Sequence, residues 1–254
     1  MKAYDPWPIG RLPKELQRVE LEQVKALGYE YDDPRELVEI FENKIAQITG
    51  APYAVAVDSC SNGLFLALRI TRKVNLFDRV HCPRQTYISV PQQIKHAGHT
   101  IEYKDIKWEG MYELYPTNVI DAATRFRKDM YVAGSMMVLS FQIKKRVPIG
   151  RGGMIPLDNE KDVETLRKLR HDGRDLSLPY DQDPFSYFGY HMYMIPEDAA
   201  RGLIILDYLE KQNPEFDFAD TATYENYPPI PYLGHDEIAK IPGFGSMILE
   251  DDNS

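Results

Sequence analysis

The chain has 254 residues, enough for one large hydrophobic core, with 39 acidic against 30 basic side chains and a formal net charge of −9. That balance argues against a nucleic-acid partner, which is held by clustered Lys and Arg that displace counterions. No apolar run reaches membrane-spanning length, "MKAYDPWPIG" lacks a signal-peptide core, and the two cysteines, Cys60 and Cys82, carry no metal-ligand spacing; a soluble, cytoplasmic protein in a reducing compartment is expected.

"DDPRELVEIFENKIAQITG" predicts an amphipathic helix, with Asp33 as N-cap, Pro34 in the first helical position and Gly50 as the stop. "YAVAVD" follows as an apolar run of strand length, then the small polar turn "SCSNG" and the helical "LFLALRI". Strand and helix keep alternating: "DRVHCP" into "VPQQIKHAG", then "TIEYKD", "NVID" and "SMMVLSF" as strands. "GGMIPLD" leads into the helix "NEKDVETLRKLRHDG", and "PEDAARGLIILDYLEK" is a further helix with Pro196 in its first turn. Buried strands alternating with helices indicate an α/β layered fold with a mainly parallel sheet. From residue 213 the texture turns rich in Pro, Tyr and acids with little periodicity. The expected organisation is therefore a layered domain over residues 1–212 and an irregular arm with a disordered acidic tail over residues 213–254.

Ligands of an open parallel sheet sit beyond the carboxyl ends of its strands, so the residues at each strand exit are the candidates. After "AVAVD" stand Ser59, Ser61 and Asn62, small residues opening a helix whose free N–H groups suit a phosphate. Tyr87 follows the second strand, Asp121 ends "NVID", and Ser140 ends the last apolar run before Lys144, Lys145 and Arg146. Taken singly, each has an ordinary alternative: capping for the serines, Asn62 and Asp121, packing for Tyr87, a solvated loop for the basic cluster. One cofactor would use all of them together. Pyridoxal 5'-phosphate needs helix-terminal N–H groups and a hydroxyl for its phosphate, an aromatic against its ring, a carboxylate at its pyridine nitrogen and a lysine for its aldehyde.

The same residues carry a resemblance to the DegT/StrS-type sugar aminotransferases, a family with the fold type I architecture of pyridoxal-phosphate transferases. Residues 59–64, "SCSNGL", stand where that family has Ser-Gly-Thr-Ala-Ala-Leu, and Pro83, Thr86 and Tyr87 match its Pro-x-x-Thr-aromatic. Asp121, Ala122, Ala123 and Thr124 match Asp-Ala-Ala-Gln with one change. "SFQIKKRVPIGRGG", residues 140–153, keeps the spacing of Ser-Phe-His-x-x-Lys followed by Gly-Glu-Gly-Gly, and "GYHMYMIPEDAA" fits Gly-x-Asn-x-Arg-Met with His191 and Tyr193 in place of Asn and Arg. The resemblance implies that Lys145 is the Schiff-base lysine, that Asp121 binds the pyridine nitrogen and that Tyr87 stacks on the ring. It further implies that Ser61 and Asn62, through backbone N–H groups, and Ser140, through its hydroxyl, hold the phosphate. Thr124 takes the place of the family's glutamine in this site, and His191 takes the place of an asparagine that reaches the partner subunit's phosphate.

Relative to the family pattern, one strand-helix unit is missing between "TIEYKDI" and "NVID", where only "KWEGMYELYPT" intervenes, and the C-terminal domain is expected to be truncated to the Pro/Tyr-rich arm. The expected activity is transfer of an amino group from an amino acid, glutamate-like by family, to a keto sugar linked to a nucleotide, by a homodimer that completes its sites across the interface. A non-catalytic binding or regulatory protein and a pyridoxal-phosphate enzyme acting on a non-sugar substrate are the alternatives.

Overall fold

The computed structural model describes residues 18–71 and 79–231. The described residues form, in order, α1 (Glu20–Ala26), α2 (Glu36–Thr49), β1 (Tyr53–Val57), α3 (Cys60–Ile70), β2 (Arg79–Pro83), α4 (Ser89–His96), β3 (Thr100–Lys104), β4 (Tyr112–Glu113), β5 (Val119–Asp121), β6 (Met136–Ser140), β7 (Gly153–Leu157), α5 (Glu160–Leu169) and α6 (Pro196–Gln212); all but α1 and β4 were expected. Asp33 caps one turn earlier than the regular helix. Its backbone oxygen accepts from the Glu36 N–H (2.9 Å) and its carboxylate from the Arg35 N–H (2.9 Å), and Gly50 ends α2 at φ 77°.

Five strands form one sheet in the order β1-β7-β6-β5-β4, and β2 pairs with β3 separately. The β5–β6 and β2–β3 pairs are parallel, whereas β7 runs antiparallel to both β6 and β1. The chain passes from β6 to β7 through an irregular loop without a crossover helix, and such a connection returns the chain antiparallel. Both faces of the sheet are buried, and alternate residues enter different cores. Ala54, Ala56, Met137 and Leu139 pack with α1, α2 and α6, while Val55, Val57, Met136 and Val138 pack with α3, α4 and α5. The result is a three-layer α/β structure, and its strand ends carry the candidate residues.

β4 carries no periodic pattern of its own. It lies in the linker where a strand-helix unit was expected to be missing, and pairs antiparallel with β5 at the open end of the sheet. Just beyond it, the Tyr115 carbonyl accepts from the His81 N–H of β2 at 2.7 Å. A two-residue hairpin strand thus stands between β5 and the β2–β3 pair. Residues 213–231 of the arm are irregular apart from a 3-10 turn at Tyr224–Asn226, and they pack back on the body through Asp220, Thr221 and Tyr224. The expected acidic tail lies outside the described residues.

Candidate active site

At the carboxyl end of β1 the chain turns directly into α3. Ser59 is extended, and its Oγ accepts from the Asn62 N–H at 3.2 Å, an N-cap that opens the helix toward the cavity. Gly153, the first residue of β7, passes so near that an added Cβ would lie 2.7 Å from the Cys60 nitrogen, so only glycine lets the strand and this helix end meet. Ser61 Oγ donates to Ser89 Oγ at 2.8 Å, which brings the N-terminus of α4 beside that of α3. Two hydroxyls and two helix N-termini therefore face one space.

Asp121, at the end of β5, is 5% exposed and forms the floor of that space. Tyr112 Oη donates to its Oδ2 at 2.5 Å, the Ala123 N–H donates to its Oδ1 at 3.0 Å, and the Thr86 hydroxyl bonds the Tyr112 phenol. Burial raises the carboxyl above its usual range, and the Tyr112 and Ala123 bonds and the Lys145 charge oppose that rise only in part. A carboxylate held by two donors keeps acceptor sites for a third, and a cationic ligand would restore the charge that burial penalises.

Lys145 leaves the loop after β6 in a turn closed by its own N–H on the Gln142 carbonyl (2.8 Å). Its ammonium makes no ion pair or hydrogen bond among the described residues, yet it acts electrostatically on Asp121 and Cys60 within the cavity. Ser140, Lys144, Lys145, Gly150, Arg151 and Gly152 all line the same cavity of about 500 Å³. The Cys60 thiol, beside Asp121, is pushed well above its usual range, first by burial, and so is a poor nucleophile. A free amine, a buried carboxylate, a hydroxyl-rich helix end and an exposed aromatic face match what pyridoxal phosphate requires of a protein.

A sequence model of the DegT/DnrJ/EryC1/StrS aminotransferase family matches residues 20–132 and 128–217. The chain belongs to this family. The family member is 26% identical over 216 residues to the spore coat polysaccharide biosynthesis protein SpsC of Bacillus subtilis, covering 65% of this chain and 55% of that protein. Its fold is shared with the sugar aminotransferase CalS13 from Micromonospora echinospora (TM-score 0.61, 17% identity, covering 76% of this chain and 65% of that one). It is shared also with S. venezuelae DesV, solved in complex with a ketimine intermediate (TM-score 0.58, 20% identity, covering 76% and 62%). The chain thus spans between about half and two thirds of the length of these relatives.

Of the residues expected at the site, the family member brings Ser61, Tyr87, Asp121, Thr124, Ser140 and Lys145 to one cavity. Tyr87 is 59% exposed, so its ring face is open. Two do not line it. Asn62 gives its N–H to Ser59 and its side-chain amide to Asp58 Oδ1 at 2.7 Å, both bonds within the turn that caps α3. His191 lies on the exterior, its Nδ1 2.9 Å from Asp172 Oδ2. Thr124 lines the cavity but spends its hydroxyl on the Gly110 carbonyl at 2.8 Å, because the chain before β4 passes directly over it. Sequence reasoning missed Tyr112, Trp108 and Tyr227, which also line the cavity. Tyr112 and Trp108 lie in the short linker and Tyr227 in the arm, where no periodicity marks them.

Proposed function

We propose that this chain is a pyridoxal-phosphate-dependent aminotransferase that moves an amino group from a glutamate-like amino acid to a keto sugar linked to a nucleotide. The reading is carried by one observation: Lys145, whose amine has no ion pair or hydrogen bond among the described residues, and the buried Asp121 line one cavity at the N-terminus of α3. Family membership and the sugar aminotransferases among its structural relatives support it.

Ser61, Ser140 and the free N–H groups of α3 would take the cofactor's phosphate, and the Tyr87 ring would lie against its pyridine. Asp121 would pair with the ring nitrogen and keep it protonated. When bound, the cofactor supplies an electron sink for the carbanion left at the donor's α-carbon. Lys145 would be the base that takes the proton from that carbon and returns it at the cofactor's aldehyde carbon, two bonds away. Arg151, which lines the cavity mouth and pairs with Asp58 at 2.5 Å, leaves donors for an anionic group of the substrate. The sites are completed in a homodimer, for which the exposed Leu176, Tyr180, Phe185 and Phe188 offer an apolar contact surface. The two free thiols suit the cytoplasm. Among the described residues no helix is long and apolar enough to cross a membrane.

The test is covalent trapping. Protein incubated with pyridoxal phosphate and reduced with borohydride should carry the cofactor on the peptide containing Lys145. Lys145→Ala should lose that label and the transamination activity with it, by at least about 10³-fold, while Lys144→Ala should keep the label. A label that survives in Lys145→Ala would sink the assignment.

A further inference from the structure

The cavity has one wall that the family match does not reach. Residues 213–231 run back across the body, and past residue 217 they lie beyond the matched segment. The arm is fastened on both sides of Tyr227. The Tyr224 N–H donates to the Trp108 carbonyl (3.0 Å), the Gln85 amide to the Tyr227 carbonyl (3.0 Å), and the Ile230 N–H to the Arg84 carbonyl (2.8 Å). The Tyr227 ring packs on Trp108 with centroids 5.7 Å apart, and the Trp108 indole N–H is in turn fixed on the Gln85 carbonyl at 2.8 Å. So held, Tyr227 lines the cavity together with Cys60, Tyr87 and Asp121.

A phenol that lines a ligand cavity can give its hydroxyl to the ligand. The hydroxyl of Tyr227 has no partner among the described residues, and burial, then the Asp121 carboxylate, push it up. Asp121 and Tyr87, the residues proposed for the ring, line the same cavity as Tyr227. Thr124, also expected in this site, is already committed to the Gly110 carbonyl.

We propose that Tyr227 is a ligand-contacting residue, a phenol carried by the arm that donates a hydrogen bond to the pyridine ring substituents of the bound cofactor. This rests on the pyridoxal-phosphate reading of the cavity. The arm then does more than cover the body: it completes the binding site from a segment outside the family pattern.

The experiment is a pyridoxal-phosphate titration, read as the dissociation constant, of wild-type protein, Tyr227→Phe and Tyr224→Phe. Tyr224 lies on the same arm, and its hydroxyl bonds only the exposed Glu225 (2.9 Å). Tyr227→Phe should bind the cofactor about fivefold to tenfold more weakly, the loss expected for one hydrogen bond, and Tyr224→Phe should bind as wild type. The unliganded melting temperature of Tyr227→Phe should not change, because the hydroxyl removed has no partner among the described residues. Wild-type affinity in Tyr227→Phe, equal weakening in both variants, or a lowered unliganded melting temperature would overturn the proposal. Wild-type protein that does not bind pyridoxal phosphate would overturn this proposal and the parent reading together, whereas unaltered affinity in Tyr227→Phe leaves the parent reading standing.

Discussion

Asp121 shows how a residue can be costly to the fold and necessary to the site. Its carboxylate is buried at the end of β5 and kept by two donors, Tyr112 Oη and the Ala123 N–H, yet burial still raises it. A raised carboxyl is favourable to folding while it is protonated. That contribution is complete below the unfolded carboxyl's pKa and is lost as pH rises through the folded value, so at neutral pH the empty protein bears a net penalty. Asp121→Asn removes the charge and can keep both contacts, because the Tyr112 hydroxyl can accept from the new amide and donate to Thr86. The unliganded variant should melt higher at pH 7 by roughly 2–4 °C, and the gain should shrink in acid, while binding of pyridoxal phosphate is lost. A melting temperature equal to or below wild type at pH 7 would show that Asp121 is not strained in the empty site. Asp121 was legible because it closes an apolar strand. Tyr112 was not, since a tyrosine in a two-residue strand has no periodicity to declare which way it points.

Among the elements, those legible in the sequence are the ones whose pattern repeats. α2, α3, α5 and α6 carry caps or stops and an apolar face, and β1, β6 and β7 are continuous apolar runs buried on both sides. β4 and the arm are held by contacts with distant residues, and those leave no local signal. The arm's central anchor is Asp220, whose side chain is 2% exposed, accepts from Arg125 (2.6 Å) and forms an ion pair with Arg127 (3.4 Å). Gly110 is its other neighbour: a Cβ there would lie 2.3 Å from the carboxylate, so the linker before β4 must be bare where the arm crosses it. Removing this carboxylate leaves the partly exposed Arg125 and Arg127 without the anion that holds the arm to them. Asp220→Ala should therefore free the arm before the body unfolds. Limited proteolysis should cut the variant within residues 213–231 under conditions that spare wild type, and cofactor affinity should fall with the displacement of Tyr227. Equal resistance to cleavage would mean that the aromatic contacts around Trp108 hold the arm unaided.

At the scale of the whole molecule, the two helical layers are tied through one buried carboxylate at the sheet's β1 edge. Glu42 of α2 accepts from the Ala56 N–H (2.8 Å), from Arg167 (2.8 Å) and from the buried Arg170, which also donates to the Ala56 carbonyl at 2.6 Å. The next residue, His171, stacks on Tyr193 with centroids 4.4 Å apart. Burial, and then the Arg170 charge, depress the His171 imidazole from 6.5 to about 4. The folded protein thus keeps His171 neutral where the unfolded chain takes up a proton. The stability this provides is present above about pH 6.5 and is lost as pH falls toward 4, at a limiting slope of about 1.4 kcal/mol per pH unit. His171→Gln removes the titration while leaving a group of similar length beside Tyr193. Denaturant unfolding of the unliganded protein should show wild type losing on the order of 2 kcal/mol more than the variant between pH 6.5 and pH 4.5, even if the variant starts less stable at neutral pH. Parallel pH profiles would place the acid sensitivity elsewhere, and the charge knot around Glu42 would then have to hold without protecting its neighbouring histidine from protonation.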